Sequence, residues 1–189
     1  MIFWRSWPSQ SADDERQNVG VPVVLVVASF VAMEAVAYLA HRNVMHGRLG
    51  AWHRSHHRPR TTTFEGNDLY PVVAAGLTIV VIAVGSYVDG VGALLWIGTG
   101  VTLYGAAYLF VHDLYIHRRL SLGGWTFGPL ERVREAHRIH HLWAGEPFGF
   151  LVPIVPRALK ERASTTTRDP LRSDRPAAPS ATSAPSRAS

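Results

Sequence analysis

HRNVMHGRLGAWHRSHH, residues 41–57, places five histidines at two spacings. His41 and His46 form H-x4-H, and His53, His56 and His57 form H-x2-H-H. Both spacings return later, first as His112 with His117 and then as His137, His140 and His141. All ten histidines of the chain are used by this pattern. Each set starts where a long apolar run stops, at Ala40 and at Val111. The chain therefore carries an imperfect internal repeat of apolar run, H-x4-H and H-x2-H-H.

The apolar runs cover residues 22–40, broken only by Glu34, then 71–88 and 91–111. Each is close to the roughly 20 residues that carry a helix across a bilayer core. Asp89-Gly90 makes a short turn, so the second and third runs read as an antiparallel hairpin. With three spans, the 41–70 stretch and everything after 111 lie on one side. That side holds Arg42, Arg48, Arg54, Arg58 and Arg60, together with Arg118, Arg119, Arg132, Arg134 and Arg138. The N-terminal segment has only Arg5 and Arg16 against three acids. By the positive-inside rule the histidine side is cytoplasmic. Residues 122–156 leave room for a fourth helix or a re-entrant segment, although 148–156 is too short to cross alone. The expected fold is an all-α integral membrane domain of three to four transmembrane helices, with a cytoplasmic histidine-rich di-metal site. A polar segment over 1–20 precedes this 21–160 domain, with Phe3, Trp4 and Trp7 suited to the interface, and a disordered Ser/Thr/Pro/Ala/Arg-rich tail over 161–189 follows it.

Composition narrows the chemistry. The formal charge of +5 is almost wholly arginine, since Lys160 is the only lysine. Such an excess suits nucleic acid or a membrane surface; its position beside apolar runs selects the bilayer and no nucleic acid. Cysteine is absent, which removes disulfides, thiolate-held iron–sulfur clusters and a haem-thiolate hydroxylase. Asp13, Asp14 and Glu15 precede the first run, where a cleavable signal peptide would carry basic residues. No G-x-G-x-x-G turn is present, so electrons for a redox reaction must come from a separate donor. Gly98 and Gly100 lie inside a span and read as helix-packing residues.

Neutral imidazole is the commonest protein ligand for iron, copper and zinc. Residues three and four apart share a helix face, so His53 with His56 and His57, and His137 with His140 and His141, form multidentate sets. The H-x4-H pairs are harder to place. On a straight α-helix, residues five apart point about 140° away from each other. Either the helix ends between them, as Gly47 would permit, or each member faces a different metal. Ten nitrogens exceed one ion and suit two. Two zincs could use the set, but a bilayer offers no evident hydrolytic substrate, whereas two irons with O2 suit oxidation of a lipid-dissolved molecule. A membrane metal carrier or sensor would instead place polar ligands within the spans.

Other residues invite a role beside the metal. Metal-bound imidazoles usually donate their outer N–H to a carboxylate or carbonyl, and Asp113, Asn67 and Asp68 stand close in sequence to ligands. Capping of a helix or loop would suit each equally. Glu34 is two turns, about 10 Å, before His41, and an intramembrane carboxylate is a functional candidate by default; a buried contact between helices is the plainer role. Arg54, Arg58 and Arg138 interleave with histidines and suit either an acidic redox partner or lipid phosphates. Trp52, Trp125 and Trp143 suit interfacial anchoring.

The four histidine motifs resemble the membrane fatty acid hydroxylase superfamily, and their flanks resemble its bacterial β-carotene hydroxylases. The likeness rests on Met33-Glu34, on Ala40-His41 through Met45-His46-Gly47, on Trp52-His53 through His57-Arg58-Pro59-Arg60, and on Phe64-Glu65 with Asn67-Asp68-Leu69-Tyr70. It continues in Val111-His112-Asp113, in Ala136-His137-Arg138 through His141, and in Phe148-Gly149-Phe150-Leu151. Leu114-Tyr115-Ile116 departs from the family, which usually has glycine there. The resemblance implies all ten histidines as ligands to two non-haem irons. It also implies O2-dependent hydroxylation of the β-ionone ring at C3, giving β-cryptoxanthin and then zeaxanthin, with ferredoxin and its reductase as the electron source. A carotenoid ketolase, a sterol or fatty acid hydroxylase and a desaturase are the neighbouring activities.

Overall fold

A computed structural model describes residues 12–58, 62, 64–120 and 125–172, with side chains from residue 19 onward. Among these residues every regular element is helical. Helix α1 runs Ala12–Ala40 and passes into a π-helical turn, His41–Arg48. Short 3-10 turns at His53–Ser55 and Gly66–Asp68 lead into α2, Leu69–Tyr87. Helix α3, Ala93–Tyr108, continues into a second π-helical turn, Leu109–Ile116. Helix α4 is Gly128–Trp143 and α5 is Arg157–Ser164.

Three helical stretches are long and apolar enough to cross a bilayer: Val19–Arg48, Gly66–Tyr87 and Ala93–Ile116. Their side chains face outward, as Val24, Val27 and Val31 on α1 and Leu77, Ile79 and Val80 on α2 illustrate. In water such a surface would drive aggregation; in lipid it is the expected exterior. The spans' serine and threonine hydroxyls are satisfied inside their own helices, where no water competes. Ser29 donates to the Leu25 carbonyl, Thr99 to Leu95 and Thr102 to Gly98. Gly90, at φ 82°, makes the turn between α2 and α3 that its lack of Cβ permits.

Helix α3 is the centre of the bundle and packs against both α1 and α2. Glycines bring the backbones close. A methyl at Gly98 would meet Ile82 of α2 at 2.5 Å, and one at Gly100 would overlap Ser29 Oγ and the Val26 carbonyl of α1. The packing role read for Gly98 and Gly100 therefore holds. Gly100→Ala is expected to lower stability by about 1–3 kcal/mol through overpacking, seen as a lower thermal midpoint in detergent. An unchanged midpoint would mean that α1 and α3 are farther apart than described.

Of the three to four spans expected, three are present among the described residues; α4 carries Glu131, Arg132, Arg134, Glu135 and Arg138 and buries only a stripe of Ala136, His137, Ile139 and His140. The non-helical 148–152 stretch after it folds back along the apolar part of α1. The expected disorder of the tail fails for residues 161–172. Leu171 is buried against Val111, Tyr115 and Ile116, and Asp169 pairs with Arg134 at 2.9 Å. An apolar side chain, one charge pair and the Arg138 bonds to the Ala163 and Arg168 carbonyls dock a segment whose composition looks unstructured. Likewise the N-terminal helix starts at Ala12, inside the polar segment read over 1–20. Phe3, Trp4, Trp7, Arg60 and 173–189 lie outside the described residues.

Candidate metal centre

The ends of α1 and α3 resolve the spacing problem. In a π-helix the hydrogen bond runs to the fifth residue, so residues five apart come to lie on one face. The His117 N–H donates to the His112 carbonyl at 3.0 Å, the register of such a turn. Neither alternative read from the spacing holds: the helix widens, and both members of each pair turn the same way. After His46 the chain breaks at Gly47, φ −104° and ψ −135°, and turns toward His53.

The rings gather in two neighbouring clusters. His41, His46, His53 and His140 have ring nitrogens within 4.8 Å of one another, as do His56, His117, His137 and His141. His57 joins the first, its Nε2 3.1 Å from that of His53, and His112 joins the second, its Nε2 3.2 Å from that of His56. His57 and His141 stack at 4.5 Å where the clusters meet. The H-x2-H-H motifs are thus not one-sided. Their i, i+4 members stay with the local H-x4-H pair, while the third members, His56 and His140, cross to the other cluster.

Hydrogen bonds to the outer nitrogens fix which nitrogen faces inward. His41 Nδ1 donates to the Phe148 carbonyl at 2.9 Å, His53 Nδ1 to Asn67 Oδ1 at 2.7 Å and His140 Nδ1 to the Gly145 carbonyl at 2.6 Å. His112 Nδ1 meets Asp113 at 2.7 Å, and Glu65 lies 3.5 Å from His56 Nδ1. A neutral imidazole that donates through Nδ1 presents a bare lone pair at Nε2. Yet Nε2 of His41 is 3.1 Å from Nε2 of His53, both rings donating outward through Nδ1. Two lone pairs at that distance repel unless a cation lies between them. Ligands about 2.1 Å from a metal and at right angles stand about 3.0 Å apart, so this donor set fits a metal ion.

Burial keeps the rings in the form a metal needs. Loss of water, reinforced by the neighbouring imidazoles, lowers His57 to about 3. His53 falls to about 4 by the same desolvation, although Asn67 opposes it. Desolvation first, then mutual repulsion, also holds His56, His137 and His141 well below their ordinary value.

The flanking candidates divide. Asn67 and Asp113 touch histidines. Asp68 does not: it closes a capping box with Glu65 and binds Arg119 at 2.6 Å. Glu34 reaches no imidazole and instead accepts from backbone N–H groups of 150–152 and from Tyr104. Arg138 is held by Glu135 and the Arg168 carbonyl. Arg54 and Arg58 are exposed, and they help line a cavity of about 380 Å³ beside His46, His53 and His57. Sequence reading assigned no separate role to Glu65, although it is the sole acid between His57 and Asp68. The carbonyls of Gly145 and Phe148 carry no side-chain signal at all.

Fold and site together define the class, a membrane-spanning helical protein whose paired histidine clusters suit metal. The chain belongs to the fatty acid hydroxylase family, whose model matches residues 26–160. It is 41% identical over 174 residues to the beta-carotene hydroxylase of Pseudescherichia vulneris, across 85% of this chain and 95% of that protein. With the beta-carotene hydroxylase of Pantoea ananas it shares 44% identity over 138 residues, 68% of this chain and 75% of that one. The chloroplastic beta-carotene 3-hydroxylase 1 of Arabidopsis thaliana is 34% identical over 166 residues, 85% of this chain and 53% of its own length. No solved structure matches the chain.

Proposed function

We propose that the protein is a β-carotene 3-hydroxylase that converts β-carotene through β-cryptoxanthin to zeaxanthin, with two irons held by the ten histidines. The observation that carries this reading is the convergence of ten inward-facing imidazoles, five to a cluster, at one end of an apolar bundle in a chain so similar to β-carotene hydroxylases. His41, His46, His53, His57 and His140 hold one iron; His56, His112, His117, His137 and His141 hold the other. Iron bound there supplies O2-dependent oxidation of a C–H bond.

The chain's own residues hold, orient and exclude. Asn67, Asp113, Glu65 and the carbonyls of Phe148 and Gly145 fix the rings, so the ligands need no reorganisation during turnover. Phe148 and Phe150 are buried, and Phe150 lies 4.7 Å from the His41 ring and 5.7 Å from that of His112. These aromatic faces keep water from the span side, where an apolar ring arrives from lipid while its polyene stays in the bilayer. Positioning one ring methylene against the clusters is the protein's main contribution to rate. The arginine-rich end faces the cytoplasm across the cytoplasmic membrane. There a ferredoxin, reduced by its reductase, docks acidic side chains against Arg54 and Arg58.

Expression in cells that accumulate β-carotene, followed by pigment chromatography, is expected to yield β-cryptoxanthin and zeaxanthin. With folded protein and adequate reductant verified, absence of both products rejects the substrate assignment; keto products would point to the ketolase activity instead.

A further inference from the structure

An acid inside an apolar helix needs partners, and among the described residues those of Glu34 include no cation. Its Oε1 accepts from the N–H groups of Phe150 at 2.9 Å, Leu151 at 3.1 Å and Val152 at 3.0 Å. Its Oε2 accepts from Leu151 at 3.1 Å and from the Tyr104 hydroxyl at 2.7 Å. One side chain of α1 thus joins α3 to a loop more than a hundred residues away. That loop is not helical, and Val152 and Ile154 beside it are 71% and 84% exposed, as lipid-facing residues are. Non-helical backbone at membrane depth persists only where protein satisfies its polar groups. Here Glu34 satisfies three N–H groups in succession.

The other end of the same loop reaches the metal centre. The Phe148 carbonyl orients His41 Nδ1, and the Phe150 ring stacks on His41 with an interplanar angle of 17°. Between them Gly149 leaves no room for slippage, because a Cβ there would stand 3.0 Å from Pro153 Cα and 3.1 Å from Glu34 Oε1. We infer that Glu34 is a positioning residue, anchoring the 148–152 loop so that Phe148 fixes the His41 ring and Phe150 closes the lipid side of both clusters. Only the consequence for substrate rests on the hydroxylase reading.

The test uses full-length Glu34→Ala and Glu34→Gln in lipid nanodiscs. Glu34→Ala leaves three N–H groups unpaired, so amide exchange over 148–152 is expected to accelerate roughly 10- to 100-fold. Glu34→Gln keeps a carbonyl acceptor and should stay within about threefold of the parent. In cobalt(II)-loaded protein, the shifted Nδ1–H signal of His41 should be lost to exchange in Glu34→Ala, while that of His53, held by Asn67, persists. Zeaxanthin formation should fall about tenfold in Glu34→Ala and be rescued in Glu34→Gln.

Unchanged exchange and an unchanged His41 signal in Glu34→Ala overturn the inference. So does a Glu34→Gln protein that matches the parent in exchange yet loses activity, which would make the acid a proton carrier. Should Glu34→Ala not accumulate, Glu34→Asp takes its place: its carboxylate is one methylene short of the three N–H groups, so exchange over 148–152 should rise, and unchanged exchange overturns the anchor. Exchange and cobalt signals need no substrate, so failure to hydroxylate carotene would reject the function while leaving this inference to be decided separately.

Discussion

His140→Ala is expected to abolish hydroxylation and to remove at least half of the bound iron, although His140 belongs to the later histidine set. Its ring faces the cluster of His41, His46 and His53, and it is completely buried, with Nδ1 held by the Gly145 carbonyl. Alanine there leaves a hole in the ligand set and frees that carbonyl. Changing only a residue behind a ligand commonly costs 10- to 100-fold in affinity or activity, so loss of the ligand should cost more than about 100-fold in turnover. His56→Ala is the mirror experiment, acting on the cluster of His117, His137 and His141. Iron per chain and product per minute are the measurements. Full activity in both variants would falsify the ligand assignment.

Arg119→Met should show a large effect of a different kind. The Arg119 guanidinium lies 2.6 Å from Asp68, 3.7 Å from Glu65 and 3.9 Å from Asp113. Burial alone would lower its pKa, but the bond to Asp68 and the charges of Asp113 and Glu65 outweigh that and hold it above the usual arginine value. Two of those acids stand behind His56 and His112. Methionine would leave three acids close together with their shared cation gone. Removing one partner of a fully buried ion pair costs about 3–5 kcal/mol; this bridge is only partly buried, so the loss here should be about 1–3 kcal/mol, and the distortion should weaken metal binding at the second cluster by about 10- to 100-fold. Arg119→Lys should recover part of the stability, since it restores charge without the planar fork. Thermal unfolding combined with metal titration reads both effects; if Arg119→Met behaves like the parent, the three-acid bridge does nothing.

Much of this was legible because membrane spans and ligand spacing are local properties. Length and apolarity mark the spans, and parity puts both histidine sets at one end. Asn67 and Asp113 could be picked out because they adjoin ligands or a span. The pairing of ligands was less visible. A straight-helix wheel sends His41 and His46 apart, and only a change of helical register reunites them. The crossing of His56 and His140 depends on how α4 lies against the His53–Ser55 turn, a tertiary fact. Glu34 misleads for the same reason. Its distance from His41 is plain, but its partners are backbone N–H groups of residues 150–152, which no residue type announces. Residues 161–172 looked unstructured because they dock through few side chains, Ala163, Asp169 and Leu171, and through backbone carbonyls that accept from Arg138.

The exchange of single imidazoles between the two repeats has a consequence for biogenesis. A nascent chain that has emerged only as far as α3 possesses four members of one quintet and a stray fifth ring with no companions. Its missing member is supplied only after α4 has been made and has folded back. Neither quintet is completed before the other has nearly formed, so a chain cut short of α4 holds no complete set of rings.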